Sequence, residues 1–165
     1  MHSPLAYDAL HWIVPILVRR AIPFHVTGGL AAKVYGSPRP LNDIDLEVSD
    51  EMLHHFVPEV QPFLEFGPAR HKDERWDLPL MVLNYRGQII DISGADSVRI
   101  CDARTGEWVH CPSDLSKAEW HSVFDLRIPV MDRVSLLSYK QMLQGEHQQI
   151  DIEAIQYSMA PMSQG

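Results

Sequence analysis

The sequence predicts one domain of the α+β class, and three observations carry that prediction. A helical period of apolar residues opens the chain, a polar–apolar alternation runs from Asp43 to Val48, and two apolar runs meet at Arg86-Gly87. A length of 165 residues suits a single domain, with a core large enough to need no disulfide staples. Within 1–165, residues 5–95 are expected to form the core of the domain and 96–158 a C-terminal segment ending in helix. The tail, 159–165, is expected to be disordered.

Taken in order, Leu10, Ile13, Val14, Leu17 and Val18 share one face of a helix predicted over Tyr7–Arg20, which Pro15 should kink or interrupt. Phe24-His25-Val26 reads as a short strand entering a tight turn at Gly28-Gly29. The helix after it, Leu30 to Tyr35, stops at Gly36. Ser37-Pro38-Arg39-Pro40 is loop, since two prolines exclude a helix interior. Ile44 to Val48 is a half-buried strand, and Ser49 or Asp50 then caps a helix to about Val57. From Glu59 to Leu78 the pattern is weak, and one strand near Phe63 to Phe66 is expected within irregular structure. Leu80–Tyr85 and Gln88–Ser93 form a hairpin; Val98–Ile100 and Trp108–His110 add short strands. Helix resumes at Val130, breaks at Gly145-Glu146-His147, and ends with a turn or two over Asp151–Tyr157.

Hydrophobic residues make up 45% and charged residues 22%, as in ordinary globular proteins. No apolar run approaches the roughly 20 residues that span a bilayer. The amino terminus has no charged segment leading into an apolar stretch and cleavage site. No membrane association and a cytoplasmic location are therefore expected. Net charge is −8, and the 14 Lys and Arg are scattered, which argues against a large nucleic-acid footprint. Cys101 and Cys111 have no CxxC or His partner at a metal spacing and read as buried or loop thiols.

The informative segment runs from Gly28 to Leu46. A strand ending in Gly-Gly and opening a helix lets backbone N–H groups come close to a phosphate, where the helix dipole also favours an anion. Asp43 and Asp45, one residue apart on a strand, leave the same face. Two carboxylates side by side repel, and each prefers a cation; Mg²⁺ is the natural guest when phosphates supply the remaining ligands. Gly-Gly turns and Asp-x-Asp strand faces are each common without a ligand. A third carboxylate changes the balance. Asp91 sits within Gln88-Ile89-Ile90-Asp91-Ile92, an apolar strand where a charge is costly unless paired or metal-bound. With Asp43 and Asp45 it could complete a cradle for one or two metals and also take the proton of an attacking hydroxyl.

The order Gly-Gly, helix, Arg39, Asp43-x-Asp45 and a later lone Asp91 resembles the minimal nucleotidyltransferase superfamily, which shares the DNA polymerase β catalytic core. Within it the chain looks most like the small aminoglycoside and lincosamide nucleotidyltransferases and related toxin-type proteins. The specific resemblance covers Val26 to Val48 plus Asp91. It implies a mixed, mainly antiparallel sheet flanked by helices, and a Mg²⁺-dependent enzyme that moves a nucleotidyl group from an NTP to an acceptor hydroxyl with release of pyrophosphate. The NTP phosphates would lie at Gly28 and Gly29, with metal on Asp43, Asp45 and Asp91. Arg39 is either a phosphate contact or a brace for the Asp loop, and Lys140 matches a late lysine that contacts the triphosphate. By analogy, a chain this short would pair as a homodimer to close the acceptor site.

The resemblance has gaps. Gly-Gly replaces the Gly-Ser turn of many relatives, leaving only Thr27 as a weak hydroxyl contact. Gln148 and Gln149 stand where a basic residue is common before Asp151, which reads as a helix cap. His54-His55 cannot share a helix face, and Arg70-His71-Lys72-Asp73-Glu74-Arg75 reads as a solvated loop near a site at most. Trp76, Trp108 and Trp120 read as packing residues. The acceptor is open among an antibiotic or other small molecule, preferably cationic, and a tRNA or protein target of toxin–antitoxin type. The rival class is a non-catalytic nucleotide-binding regulatory module, which would not require all three aspartates.

Overall fold

A computed structural model describes residues 3–161. Helix α1 (Pro4–Arg19) leads into strand β1 (Phe24–Thr27), α2 (Gly28–Val34) and β2 (Ile44–Val48). A 3₁₀ turn at Asp50–His54 and the single turn α3 (Val57–Val60) follow. Seven strands come next: β3 (Leu64–Lys72), β4 (Trp76–Tyr85), β5 (Gln88–Gly94), β6 (Arg99–Cys101), β7 (Trp108–His110), β8 (Glu119–Val123) and β9 (Leu126–Val130). Helices α4 (Arg133–Met142) and α5 (Glu146–Met159) close the described chain.

All nine strands join one sheet in the order β7-β6-β4-β5-β2-β1-β9-β8, with β3 on the other edge of β4. Only β2–β5 and β1–β9 run parallel; the remaining pairs are antiparallel. The sheet is thus mixed and mainly antiparallel, as the resemblance implied. The central strands alternate. Ile44, Leu46, Met81, Leu83, Ile90 and Ile92 are fully buried on the core face, together with Ala6, Ala9, Leu10, Ile13 and Leu17 of α1. The alternate residues of β2 and β5 turn to the opposite face, where the candidate site lies.

Several elements differ from expectation. Helix α1 runs through Pro15 without ending, because buried residues on both sides of it, from Ala6 to Leu17, hold the segment against the core. The helix expected after Ser49 is a 3₁₀ turn followed by α3. The stretch expected to be largely irregular is a long β3–β4 hairpin, in which register shifts between Leu64 and Ala69 mask the alternation. Gly67 causes part of this: it adopts φ +76°, and a Cβ there would lie 2.2 Å from the Leu80 carbonyl oxygen. The β8–β9 hairpin was also not anticipated. Its turn residues, Phe124 and Asp125, both have positive φ, a geometry ordinarily signalled by Asn-Gly or Asp-Gly.

Helix α4 starts at Arg133 rather than Val130, capped by Asp132, whose carboxylate accepts the Ser135 N–H at 3.1 Å. Helix α5 is longer than expected and includes Met159, the first residue of the predicted tail; residues 162–165 of that tail lie outside the described residues. Among the described residues, no helix is long and apolar enough to cross a membrane.

Because Pro15 lacks the N–H that would bond one turn back in a helix interior, replacing it should strengthen α1. Pro15→Ala is expected to stabilise the fold by about 1–3 kcal/mol, read as a higher urea midpoint at unchanged m-value.

Candidate active site

Register places the acidic residues. Across the exposed face, Thr27 pairs with Asp45, Asp45 with Asp91, and Asp91 with Val82. Asp45 and Asp91 therefore stand side by side on adjacent parallel strands. Asp43 immediately precedes β2 and is exposed. Burial, then the charges of Asp91 and Asp43, push Asp45 up to about 8, against the pull of Lys140. Asp91 is pushed to about 6 by burial and by Asp43, with the hydrogen bond from Asp45 opposing.

Gly28 explains why the turn before α2 needs glycine. It adopts φ +61°, and a Cβ there would lie 2.1 Å from Asp45 Oδ2. Of the two amides expected to approach a phosphate, that of Gly28 is already used: it donates to Tyr139 Oη at 2.9 Å. Thr27 Oγ1 also donates to this phenol, at 3.3 Å. The turn is thereby tied to α4.

Arg39 and Lys140, predicted separately, share one anchor. Arg39 is bidentate on Asp151, with Nε donating to Oδ1 at 2.9 Å and Nη2 to Oδ2 at 2.5 Å. Lys140 Nζ lies 2.9 Å from the same Oδ2 and also donates to Gln148 Oε1 at 3.0 Å, while Ser37 Oγ donates to Oδ1. Burial alone would raise Asp151, but the hydrogen bonds from Arg39, Ser37 and Lys140 hold it down to about 2. Asp151 does not cap a helix; it is a fully buried residue inside α5. Its apolar neighbours Ile150 and Ile152 carried the same signal that singled out Asp91. Arg39 is thus tied to α5 through Asp151.

Gly28, Gly29, Arg39, Asp43, Asp45, Asp91 and Lys140 all line one cleft of about 600 Å³. Residues that the sequence reading did not place there also line it: Tyr139, Glu47, His71 and Trp76. His71, expected in a solvated loop, lies near the end of β3 and lines the cleft. Trp76 opens β4 and meets the Tyr139 ring edge-on at 5.7 Å.

Among the described residues, no three His, Cys, Asp or Glu side chains stand ready as a complete metal cage. Such a cage is not what Mg²⁺ requires. It is commonly held by one or two carboxylates, with waters and substrate phosphates completing the shell. Asp45 and Asp91 supply hard oxygen donors whose mutual repulsion a cation would relieve, so the donor set fits.

No protein-family model matches the sequence, and no curated protein matches it. Solved structures do match. A candidate nucleotidyltransferase of Thermotoga maritima is 23% identical, with a TM-score of 0.69 over 84% of this chain and 85% of that one. The lincosamide antibiotic adenylyltransferase LnuA, bound to lincomycin, is 15% identical, with a TM-score of 0.59 over 90% and 95%. ANT(2″)-Ia in complex with adenylyl-2″-tobramycin is 10% identical, with a TM-score of 0.63 over 94% and 90%. The fold is that of the nucleotidyltransferases. Similarity to these nucleotidyltransferase structures extends over nearly the whole chain, well beyond the Val26–Val48 segment in which the sequence resemblance lay.

The raised carboxyls have a consequence for stability. A carboxyl whose folded pKa exceeds its unfolded value opposes folding once the unfolded chain ionises, so the metal-free protein loses stability from about pH 4 to about pH 8 through Asp45. Asp91 adds to this loss up to about pH 6. Asp45→Asn is therefore expected to raise the melting temperature in metal-free buffer at pH 7.5, with the gain vanishing near pH 4. Thermal melts across this range check it.

Proposed function

We propose that this chain is an enzyme that transfers a nucleotidyl group from an NTP to an acceptor hydroxyl, releasing pyrophosphate. The observation that carries this reading is the side-by-side placement of Asp45 and Asp91 in one cleft with the Gly28 turn and the cations Arg39 and Lys140. Acidic residues beside basic ones suit a phosphate-bearing substrate that arrives with a metal.

In this mechanism Asp43, Asp45 and Asp91 hold Mg²⁺, which when bound supplies charge that polarises the α-phosphate and eases ionisation of the hydroxyl. Gly28 and Gly29 give the triphosphate close access, since neither side chain would obstruct it. Arg39 and Lys140 face the negative charge that passes to the departing pyrophosphate. Asp91 takes the proton from the acceptor hydroxyl. The oxygen then bonds to the α-phosphorus, and the bond to the β-phosphate oxygen breaks with its electron pair leaving on pyrophosphate. Two of the similar structures are an adenylyltransferase and a complex with an adenylylated product. ATP and a small hydroxylated acceptor are therefore the first pair to test.

With α-labelled NTPs, Mg²⁺ and pools of small hydroxylated amines, tRNA and cell protein, label should move to an acceptor and pyrophosphate should appear. Asp45→Ala or chelation of the metal is expected to cut transfer on the order of a thousandfold, the equivalent of several kcal/mol of lost charge stabilisation. Equal labelling by wild type and Asp45→Ala would sink the proposal.

Asp151 acts through the two cations it holds. Asp151→Asn should raise KM for the NTP about tenfold with a smaller change in kcat, because Arg39 and Lys140 lose their shared anchor. Steady-state kinetics would show this split, and a lowered melting temperature should accompany it, since a buried charged network has been broken.

A further inference from the structure

A second groove lies where α4 passes into α5, outside the cleft used by the proposed mechanism. It has a volume of about 470 Å³ and is lined by Arg104 and five glutamines, Gln141, Gln144, Gln148, Gln149 and Gln156. Leu143 and Gln148 line both this groove and the cleft, so the two spaces adjoin. Gln148 stands at the junction. Its Oε1 accepts from Lys140 Nζ at 3.0 Å, and Lys140 is one of the two cations held by Asp151. The cationic end of the cleft therefore borders the groove.

The lining favours an anion. The chain carries a net charge of −8, yet among the described residues no carboxylate lines the groove, and its one ionised side chain is a guanidinium. Arg104 is braced in position. Asp102, itself buried, accepts its Nε and Nη2 at 3.0 Å each, and the Ala103 N–H donates to the Met142 carbonyl at the end of α4 at 2.8 Å. These bonds leave Nη1 for a ligand. Gln141, Gln144, Gln149 and Gln156 are exposed, and each amide offers N–H donors without bringing negative charge. A cation at one end, neutral donors between, and Lys140 beyond Gln148 suit an anion whose oxygens are spread along its length. A condensed phosphate has that form.

We propose that this groove is a second anion subsite, which takes the far end of a linear chain of four or more phosphates whose near end lies at Arg39 and Lys140. The placement at Arg39 and Lys140 rests on the nucleotidyl-transfer reading; the groove and its acid-free lining do not.

The test titrates pyrophosphate and inorganic tetrapolyphosphate into the full chain by calorimetry, in metal-free buffer at fixed ionic strength. Wild type is expected to bind tetrapolyphosphate at least about tenfold tighter than pyrophosphate. Arg104→Gln should remove about tenfold of tetrapolyphosphate affinity, the scale of a charged hydrogen bond, and leave pyrophosphate within about twofold. Equal tetrapolyphosphate binding by wild type and Arg104→Gln overturns the proposal. So does an equal loss of both ligands, which would put both in the cleft. If Arg104→Gln does not fold for want of the brace on Asp102, Gln144→Glu decides, because it sets a carboxylate in the groove without touching that brace. It should weaken tetrapolyphosphate about tenfold, and unchanged binding overturns the proposal. Adenosine 5′-tetraphosphate compared with ATP separates the two sources of such a chain: a gain that Arg104→Gln abolishes assigns a nucleotide, and no gain assigns free phosphate. Transfer of α-label from an NTP is read separately. A chain that binds tetrapolyphosphate through Arg104 but transfers no label supports the subsite and counts against nucleotidyl transfer; label transfer with tetrapolyphosphate indifferent to Arg104 does the reverse.

Discussion

The repulsion between Asp45 and Asp91 is the constraint around which the rest of the site is arranged. Two carboxyls on neighbouring parallel strands would separate if their backbones were free to move. They are not free, because Ile44, Leu46, Ile90 and Ile92 on the reverse face are fully buried and fix the strands in register. The core thus pins two groups together that neither wants as a neighbour. Part of the stability supplied by apolar burial offsets the cost of holding this acidic pair together.

The wall opposite is built by an equally economical device. One buried carboxylate, Asp151, holds two cations and a hydroxyl from two separate parts of the chain: Ser37 and Arg39 before β2, and Lys140 near the end of α4. The local sum of these ionised groups is one positive charge. Tyr139, adjacent to Lys140, reaches across to the Gly28 amide. Helix α4 therefore connects the glycine turn to the cationic wall through two consecutive residues.

The residues that were legible in the sequence share a property: each violates its local context. Asp91 stands in an apolar strand, Gly28-Gly29 interrupts a strand–helix passage, and Asp43 and Asp45 repeat a charge on one face. Alternation likewise revealed β2, and two apolar runs meeting at Arg86-Gly87 revealed the β4–β5 hairpin. What stayed hidden depends on tertiary pairing. β3 is broken by register shifts that no fixed period describes, and the β8–β9 turn uses Phe124 and Asp125 in conformations that their side chains do not advertise. The partnership of Glu47 with His25 is invisible until β1 and β2 are laid side by side, although both residues were in view. Asp151 was open to the same reasoning as Asp91, but a position near a break between helices suggested a cap instead.

The place of α5 in the chain bears on synthesis. Made from the amino terminus onward, the polypeptide contains every strand of the sheet and both cleft cations before residue 151 exists. Until α5 is translated and docked, Arg39 and Lys140 lack the counter-charge that aims them. Completion of the cleft is then a late event in the life of each molecule, set by the order in which the ribosome delivers its parts.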